Sequence, residues 1–312
     1  MKMAKENLIA VDWGSTGFRA FLLDQNGAVI DTRTAAAGAT QMPDAAAFAA
    51  TLHQYTADWM QNTDLSVVAC GMVGSKHGWQ EVPYLSCPAD SVALAAGLGR
   101  IRNANVYLVP GLITASGDLP PDVMRGEETQ IVGALQLAAQ ARPASCIVLP
   151  GTHSKWAQIA DQKIVDFATH MTGELFAVLR GHSVLGRLLP ESAQTFEPDA
   201  FLAGVRAARD DGQRGLSHQL FAVRTLGLTE QLSAQGLADY LSGLLIGHEI
   251  SSGITWRTAA GLDSAPLVLV GESDLCQRYR DAMHCFEVDV DTLLANTAAT
   301  GLWQIARTAE LV

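Results

Sequence analysis

The chain has 312 residues, of which 48% are hydrophobic and 17% charged, and 32 acidic against 21 basic residues give a formal net charge of −11. This length predicts two domains, and the composition excludes a disordered chain. An acidic surface repels a phosphate backbone and argues against nucleic-acid binding, so any anionic ligand has to be held by a local site.

The cysteines and the apolar runs bear on where the protein works. The five cysteines are odd in number and form no CxxC pair. Together with the lack of a recognisable signal peptide, this predicts reduced thiols in the cytoplasm. No apolar run approaches the roughly 18 residues that a membrane helix needs, so we expect no membrane association.

The chain opens with a predicted three-stranded meander at residues 9–11, 18–23 and 28–30. Asn26-Gly27 between the last two apolar runs is typical of a type I′ hairpin turn. A helix follows, because apolar residues recur at steps of four, three and four: Phe48, Leu52, Tyr55 and Trp59. Buried strands are predicted at residues 65–70 and 106–109, and a helix at residues 127–141.

The pattern of strand, polar turn, strand, tight turn and strand then recurs at residues 146–149, 156–159 and 164–167. Two copies of one unit predict a duplicated architecture. The remainder reads as largely helical around a buried strand at residues 267–270. Helices are predicted at residues 173–189, 199–210, 234–251, from 273, and 296–309.

The stretch DWGSTG, which begins at Asp12, forms the turn between the first two strands. Gly14 and Gly17 let the backbone approach a ligand closely, and the N–H groups and hydroxyls of Ser15 and Thr16 can cradle phosphate oxygens. Asp12 is placed to hold Mg²⁺ through water. An ordinary glycine-rich hairpin with a capping aspartate is the alternative. A Walker A loop and a GxGxxG motif are both absent.

The equivalent turn of the second half has the sequence PGTHSK. Its amides and hydroxyls are predicted to hold the β- or γ-phosphate of a nucleotide, with Lys155 adding positive charge. A structural role for the histidine is the alternative. The predicted phosphate-binding residues are Gly151, Thr152, His153, Ser154 and Lys155.

A third turn, Gly271-Glu272-Ser273, follows the buried strand at residues 267–270 and opens a helix. The carboxyl end of such a strand is a usual place for a nucleotide, so Gly271, Glu272 and Ser273 are predicted to bind adenosine. The sequence leaves open whether Glu272 reaches the adenosine or caps the helix.

Two adjacent carboxylates, Glu127 and Glu128, begin the helix that follows Arg125. One of them is predicted to be the general base that takes a proton from an attacking hydroxyl. A favourable interaction with the helix macrodipole is the alternative. By position in MRGEETQIV, Glu128 is favoured as the base, and Glu127 is expected to face solvent or cap the helix.

The loop GMVGSKHGW at residues 71–79 is typical of a sugar-sized recognition loop, with Gly74, Ser75, Lys76 and Trp79 as its candidate substrate residues. Lys76 is a natural partner for a substrate carboxylate, with Arg125 and Lys155 as further candidates. Trp79 is expected to form an apolar wall. The alternative is a solvated loop whose tryptophan packs on its own domain.

The order of these elements resembles the superfamily of actin, hexokinase and sugar kinases. Five stretches are similar, almost end to end, to the 2-dehydro-3-deoxygalactonokinase family: VDWGSTGFRAFLLD, GMVGSKHGW, MRGEETQIVGAL, LPGTHSKW and HMTGELFAVL. The resemblance implies an α/β fold of two ribonuclease-H-like domains with a central cleft. We expect domains at residues 1–115 and 116–295, with a C-terminal helix at residues 296–312 packing back on the first.

The resemblance further implies ATP and Mg²⁺ as cofactors, with Asp12 as the metal ligand. The implied reaction is phosphorylation of the 6-hydroxyl of 2-dehydro-3-deoxy-D-galactonate in galactonate breakdown. The sugar acid and ATP are the expected partners, and the sequence does not predict an oligomeric state. The alternatives are a kinase for another sugar or sugar acid, an exopolyphosphatase-like phosphohydrolase and a sugar-sensing regulator. The second phosphate turn lacks the acidic residue that a hydrolase would use to fix water.

Overall fold

The structure is a computed structural model that describes residues 6–61, 65–115, 120–190 and 195–312. It divides into two units, each described by itself below. Unit 1 comprises residues 1–144, 159–167 and 296–312, and unit 2 comprises residues 145–158 and 168–295. The domain boundary predicted after residue 115 borders residues 116–119, which lie outside the described residues.

The strands and helices follow one another without long gaps. The first part of the chain forms β1 (Glu6–Trp13), β2 (Phe18–Asp24), β3 (Val29–Ala35), α1 (Ala45–Thr56), β4 (Ser66–Gly71), β5 (Leu85–Ser86), α2 (Ser91–Ala96), β6 (Gly99–Arg100), β7 (Val106–Leu108), β8 (Leu112–Thr114), β9 (Asp122–Met124) and α3 (Glu127–Leu137). The rest forms β10 (Ala144–Leu149), β11 (Ser154–Ala160), β12 (Lys163–His170), α4 (Thr172–His182), α5 (Pro198–Asp211), α6 (Leu216–Leu228), α7 (Ala234–Ala259), β13 (Leu267–Val270), α8 (Ser273–Cys285), β14 (Thr292–Leu294) and α9 (Ala298–Thr308).

The two large sheets share one strand order. The first runs β3-β2-β1-β4-β7-β6 and the second β12-β11-β10-β13-β14. β1 pairs antiparallel with β2 and parallel with β4, and β10 likewise pairs parallel with β13. A meander extended by parallel strands beyond its first member is the ribonuclease-H-like arrangement, so the predicted fold class and its duplication are confirmed. A small third sheet, β5-β8-β9, was not predicted.

The core of unit 1 explains why its central strands read as continuous apolar runs. In β1, Leu8 to Val11 are fully buried, because a strand covered on both faces has no solvent side. Phe48 and Leu52 of α1 join the core cluster that contains Trp13. α9 packs against α3 and against β1.

Several predicted helix ends are wrong, each for a local reason. α1 stops at Thr56, and Trp59 instead donates through Nε1 to Asp31 at 3.2 Å. α4 stops at His182, where Ser183 turns back and donates its hydroxyl to the Leu179 carbonyl. α3 ends at Leu137 and gives way to a 3₁₀ turn.

α7 is longer than predicted and continues to Ala259, because Ile250, Gly253 and Arg257 stay buried at helical spacing. α6 was missed because its apolar pattern is irregular and leaves Phe221 and Leu228 exposed. No helix within the described ranges, α7 included, is both long and apolar enough to cross a membrane.

Two glycines let α3 and α9 approach closely. A Cβ at Gly301 would lie 1.9 Å from the Thr129 carbonyl oxygen, and one at Gly133 would lie 2.1 Å from the Thr297 carbonyl oxygen. The Thr297 hydroxyl donates to the Gln130 carbonyl at 2.5 Å beside this contact. The start of α3 is therefore braced by the C-terminal helix.

Replacing Gly301 with alanine should destabilise the protein, because the added methyl overlaps backbone that cannot move aside. We expect Gly301→Ala to lower the free energy of unfolding by about 1–3 kcal/mol in urea denaturation followed by circular dichroism. Gly181→Ala on α4 is the matched control, since its Cβ would meet open space. That control should be neutral or stabilising by up to about 1 kcal/mol. Equal effects of both changes would contradict the contact.

Candidate active site

Hydrogen bonds hold the first predicted phosphate turn in shape, and its polar side chains remain exposed to solvent. Gly14 N–H donates to the Gly17 carbonyl at 2.9 Å, and Thr40 donates through Oγ1 to the Ser15 carbonyl at 2.6 Å. Ser15, Thr16 and Gly17 are exposed. The turn therefore keeps its shape while its hydroxyls face solvent, as a phosphate cradle requires.

Asp12 lies at the end of β1 beside this turn. It lines a recess of about 410 Å³ together with Gly14, Gly17 and Arg19, and its Oδ2 accepts from Asn296 Nδ2 at 3.4 Å. Burial raises the pKa of Asp12 above its ordinary value, while the Asn296 hydrogen bond and the Arg19 charge lower it and the Glu127 charge raises it.

The surroundings of Asp12 fit a Mg²⁺ ion that keeps most of its coordinated water molecules. Among the described residues, no group of three or more His, Cys, Asp or Glu is arranged to hold a metal ion. A single carboxylate plus water and phosphate oxygens is a common way to bind Mg²⁺. Asp12 would supply that carboxylate.

The carboxylate pair at the start of α3 divides into one buried and one partly exposed side chain. Gly126 has φ 110°, a conformation that favours glycine, and its N–H donates to Glu128 Oε2 at 2.6 Å. Thr129 Oγ1 donates to Glu128 Oε1 at 2.9 Å, and the Glu128 side chain is fully buried. Glu127 is only half-buried and accepts from the Arg125 backbone N–H at 3.0 Å.

Burial raises the pKa of Glu128 to about 7, and the Glu127 charge also raises it, whereas the hydrogen bonds from Thr129 and Gly126 lower it. Near neutral pH the buried side chain is therefore partly protonated. The sequence favours Glu128 as the base, but both of its oxygens are occupied inside the protein.

The loop at residues 71–79 combines a packed part and an open part. Gly74 is buried, and Trp79 stacks on Phe48 with ring centroids 6.1 Å apart and planes at 10°. Lys76 is exposed and Ser75 partly so. The tryptophan packs against the core of unit 1, whereas Ser75, Lys76 and His77 are the polar side chains that the loop presents to solvent.

Arg125 lies against this loop. Its Nη2 donates to the Val82 carbonyl at 2.8 Å, and its guanidinium lies 4.3 Å from the centroid of the Tyr84 ring. A Cβ at Gly74 would lie 3.1 Å from Arg125 Nη1. Nε and Nη1 are buried and have no hydrogen-bond partner within the described part of the chain. The structure thus brings Arg125 and Gly74 together, with two nitrogens of the guanidinium unused.

In unit 2, two of the residues predicted to bind phosphate at the second turn have buried side chains. Ser154 is fully buried, and the nearly buried Lys155 donates through Nζ to the His153 carbonyl at 2.8 Å. Thr152 and His153 are exposed, and His153 pairs through Nε2 with Glu174 of α4. Ser154 and Lys155 therefore hold the turn, and the groups that face outward belong to its middle.

A pocket of about 500 Å³ opens beside this turn, within the usual size range of small-molecule sites of about 300–1,000 Å³. α4 begins against the turn, where Glu174 N–H donates to the Thr152 carbonyl at 3.0 Å. The lining includes Gly151, Thr152, Gly173, Gln235, Ser242 and Arg278.

In the third turn, Glu272 takes the capping role that the sequence left open as an alternative. Glu272 accepts from the Leu275 N–H at 3.0 Å and is the N-cap of α8. A Cβ at Gly271 would lie 3.6 Å from the Pro150 carbonyl oxygen, so this turn adjoins the second phosphate turn. Leu275, Arg278 and Tyr279, in the first two turns of α8, line the pocket.

Sequence reasoning missed several residues of these sites. Arg19 in the Asp12 recess was passed over because it sits in an apolar strand. Gln235 and Ser242 of α7 were missed because nothing local to a long helix indicates which face lines a pocket. The start of α4 gave a usable signal, since Thr172-Gly173-Glu174 directly follows a strand.

The raised pKa of Glu128 predicts a specific dependence of stability on pH. The unfolded state loses this proton near the ordinary value of 4.5, whereas the folded state keeps it up to about pH 7. Stability from this residue is therefore present below pH 4.5 and falls as pH rises toward 7, by about 3 kcal/mol in total.

In a Glu128→Gln variant the amide at this position does not titrate, so the variant does not lose this stability as pH rises. Urea unfolding of both proteins between pH 5 and pH 8 should show the wild type losing stability relative to the variant as pH rises. A difference that does not vary with pH would contradict the raised pKa.

Comparison with known proteins places these features in a family. The sequence profile described as 2-keto-3-deoxy-galactonokinase matches residues 12–305. The chain is 39% identical over 295 residues to 2-dehydro-3-deoxygalactonokinase of Escherichia coli (strain K12), covering 93% of this chain and 94% of that protein.

Solved structures agree with that assignment. A Sinorhizobium meliloti crystal structure, provisionally named as a 2-dehydro-3-deoxygalactonokinase, matches with a TM-score of 0.85 and 33% identity over 96% of this chain and 98% of that one. The activator of 2-hydroxyisocaproyl-CoA dehydratase from Clostridium difficile, solved with bound ADPNP, shares the fold alone, with a TM-score of 0.51 and 13% identity over 99% of this chain and 96% of its own. From the profile match and the identity across almost the whole length, the chain belongs to the 2-keto-3-deoxy-galactonokinase family.

Proposed function

We propose that this protein is an ATP-dependent kinase that phosphorylates the 6-hydroxyl of 2-dehydro-3-deoxy-D-galactonate, a step of galactonate breakdown. The observation that carries the proposal is the pair of carboxylates in unit 1. Asp12 lies beside an exposed phosphate turn, and the charge of the half-buried Glu127 acts on it. One acid for a hydrated cation and one for a hydroxyl proton are what a phosphotransferase to an alcohol needs.

The proposed roles divide between the two units. In unit 1, Asp12 holds Mg²⁺, which when bound neutralises charge on the phosphates, and Gly14, Ser15, Thr16 and Gly17 bind phosphate oxygens. In unit 2, Gly151, Thr152 and His153 bind phosphate through the outward face of their turn, which Ser154 and Lys155 hold in shape. The pocket lined by α7 and α8 takes the adenosine, with Gly271, Glu272 and Ser273 shaping its edge.

We infer that Glu127, rather than Glu128, is the general base. A base must come within hydrogen-bond reach of the proton it takes, and the fully buried Glu128 is already bonded to Gly126 and Thr129. Glu127 takes the proton from the 6-hydroxyl group of the sugar acid while the oxygen of that hydroxyl bonds to the γ-phosphorus of ATP. The bond from that phosphorus to the bridging oxygen breaks, and ADP leaves with the electron pair.

The substrate carboxylate needs a local cation, because the net charge of −11 disfavours an anion. Lys76 is exposed next to Ser75 and is our first candidate for this contact, and Arg125 with its two unused nitrogens is the second.

We place the protein in the cytoplasm, where thiols stay reduced, and all five cysteines are free.

The competing hydrolase differs in what it needs from the second turn. That turn has no acidic residue of its own, but α4 brings Glu174 next to His153. The two functions are separated by an assay of ADP and phosphate release with purified protein, ATP and Mg²⁺. We expect ADP release only when a 2-keto-3-deoxy sugar acid is added, without free phosphate. Phosphate release that does not require the sugar acid would contradict the kinase.

The choice of base can be tested by removing each carboxylate separately. Glu127→Gln should lower kcat by a factor of about 10²–10⁴ with little change in KM, because it removes proton transfer but not substrate binding. Glu128→Gln is the matched control and should retain more activity than Glu127→Gln in steady-state kinetics. If Glu128→Gln is instead the more damaged variant, the base is Glu128.

The carboxylate contact can be tested at Lys76. Lys76→Met should raise KM for the sugar acid by about one to two orders of magnitude and leave KM for ATP unchanged, because only the acid loses its counter-charge. Lys163→Met, another exposed lysine, is the control and should change neither constant. An unchanged KM for the acid in Lys76→Met would contradict the role of Lys76 and transfer it to Arg125.

A further inference from the structure

A buried chain of hydrogen bonds connects α7 to the second phosphate turn within unit 2. Glu249 of α7 is only 3% exposed, and its Oε1 accepts from Trp156 Nε1 at 3.0 Å. Its Oε2 accepts from the Tyr279 hydroxyl at 2.6 Å. The Tyr279 oxygen lies 3.1 Å from Ser154 Oγ. Ser154 in turn accepts from the Gly151 N–H at 3.2 Å, so the chain ends on the turn itself.

The acid at one end sets the direction of the hydrogen bond from Tyr279. The Trp156 indole N–H and the Tyr279 hydroxyl both donate to Glu249, and a tyrosine has one proton to donate, so the Tyr279 proton points at Glu249. The Tyr279 oxygen is then left to accept, and the Ser154 hydroxyl can donate either to it at 3.1 Å or to the Gly151 carbonyl at 3.4 Å. The lone pairs of Ser154 face the Gly151 N–H.

Tyr279 also contacts the start of α4, which forms another wall of the pocket. The Thr172 hydroxyl at the start of α4 hydrogen-bonds to Tyr279, so one phenol oxygen joins the turn and the helix start. Gly151, Thr172 and Tyr279 all line the 500 Å³ pocket. Burial, followed by the charge of Glu249, raises the pKa of Tyr279 well above its ordinary value, so the phenol keeps the proton that the chain requires.

Stability alone gives no reason for an acid at this position. The two groups that donate to Glu249, an indole and a phenol, are both neutral. Burying a carboxylate costs free energy that apolar residues of similar size would avoid, whereas a buried acid can impose one arrangement on its neighbours.

We propose that Glu249 is a positioning residue for nucleotide binding, which acts through Tyr279 and Ser154 to hold the second phosphate turn and the start of α4 in the geometry that receives the phosphates of ATP. This inference rests on the kinase function proposed above, because it assigns a task to the nucleotide pocket of that enzyme. Glu249 itself does not touch the nucleotide.

The test compares Glu249→Gln and Tyr279→Phe with the wild type. The amide of the first variant presents a donor where the chain needs an acceptor, and the second variant removes the central hydroxyl. Each should weaken ADP binding in calorimetry and raise KM for ATP by about tenfold, with KM for the sugar acid unchanged. Tyr240→Phe, which removes the hydroxyl of another largely buried tyrosine, on α7, is the matched control and should change none of these constants.

The double variant separates positioning from a general loss of packing. If the chain acts as a unit, Glu249→Gln with Tyr279→Phe should bind ADP about as weakly as the worse single variant, whereas independent effects would add. Variants that unfold at lower temperature but bind ADP like the wild type would overturn the proposal, as would equal increases in KM for both substrates. If the wild type itself does not bind ADP, the kinase function fails and this inference with it. If the wild type binds ADP and the variants bind it equally tightly, the kinase function stands and this inference alone fails.

Discussion

The hydrogen bond from the Gly126 N–H to the buried Glu128 carboxylate fixes how α3 begins, and the chemistry that we propose for unit 1 depends on that start. Because Glu128 faces inward, the preceding residue, Glu127, presents its carboxylate on the side where its charge reaches Asp12. The same turn of chain delivers Arg125 to the loop at Gly74. The contact between α3 and α9 then holds this helix start from the other side.

Unit 2 solves a related problem with a second buried acid. Glu249 accepts a hydrogen bond from Tyr279, and Tyr279 connects to Ser154 of the second turn and to Thr172, which lines the pocket that we assign to the nucleotide. In both halves of the duplicated fold, therefore, a glutamate with little or no exposure takes hydrogen bonds from neutral donors next to a group that we assign to the reaction. Each acid fixes the position of other groups and leaves contact with the ligand to them.

Local patterns were enough to predict the fold. Asn26-Gly27, the glycine-bounded turns after β1 and β10, and the apolar runs of β1, β4, β10 and β13 each carry their information within a few residues. The ribonuclease-H-like sheets and the family came from the resemblance of these elements and sequence stretches to known sugar kinases. The helix that was missed, α6, has no clean apolar face, and the ends of α1 and α4 depend on side-chain bonds that the sequence does not announce.

The candidate site was less predictable, because it depends on which way side chains point. Ser154 and Lys155 match a phosphate turn in sequence, but they face inward and support it. Glu127 and Glu128 differ by one position on a helix, and only the surroundings of Gly126 and Thr129 show which one is buried. Glu249 carries no signal at all in the sequence, because its partners, Trp156 and Tyr279, lie 93 and 30 residues away along the chain.

The central claim is that the phosphoryl group passes to one particular hydroxyl of a sugar acid. The most direct measurement is phosphorus–proton correlation by NMR on the product formed from ATP, Mg²⁺ and 2-dehydro-3-deoxy-D-galactonate. The account predicts a single phosphorus resonance that correlates with the methylene protons at C6. A correlation to any other carbon's proton, or a phosphorus signal from inorganic phosphate alone, would contradict it.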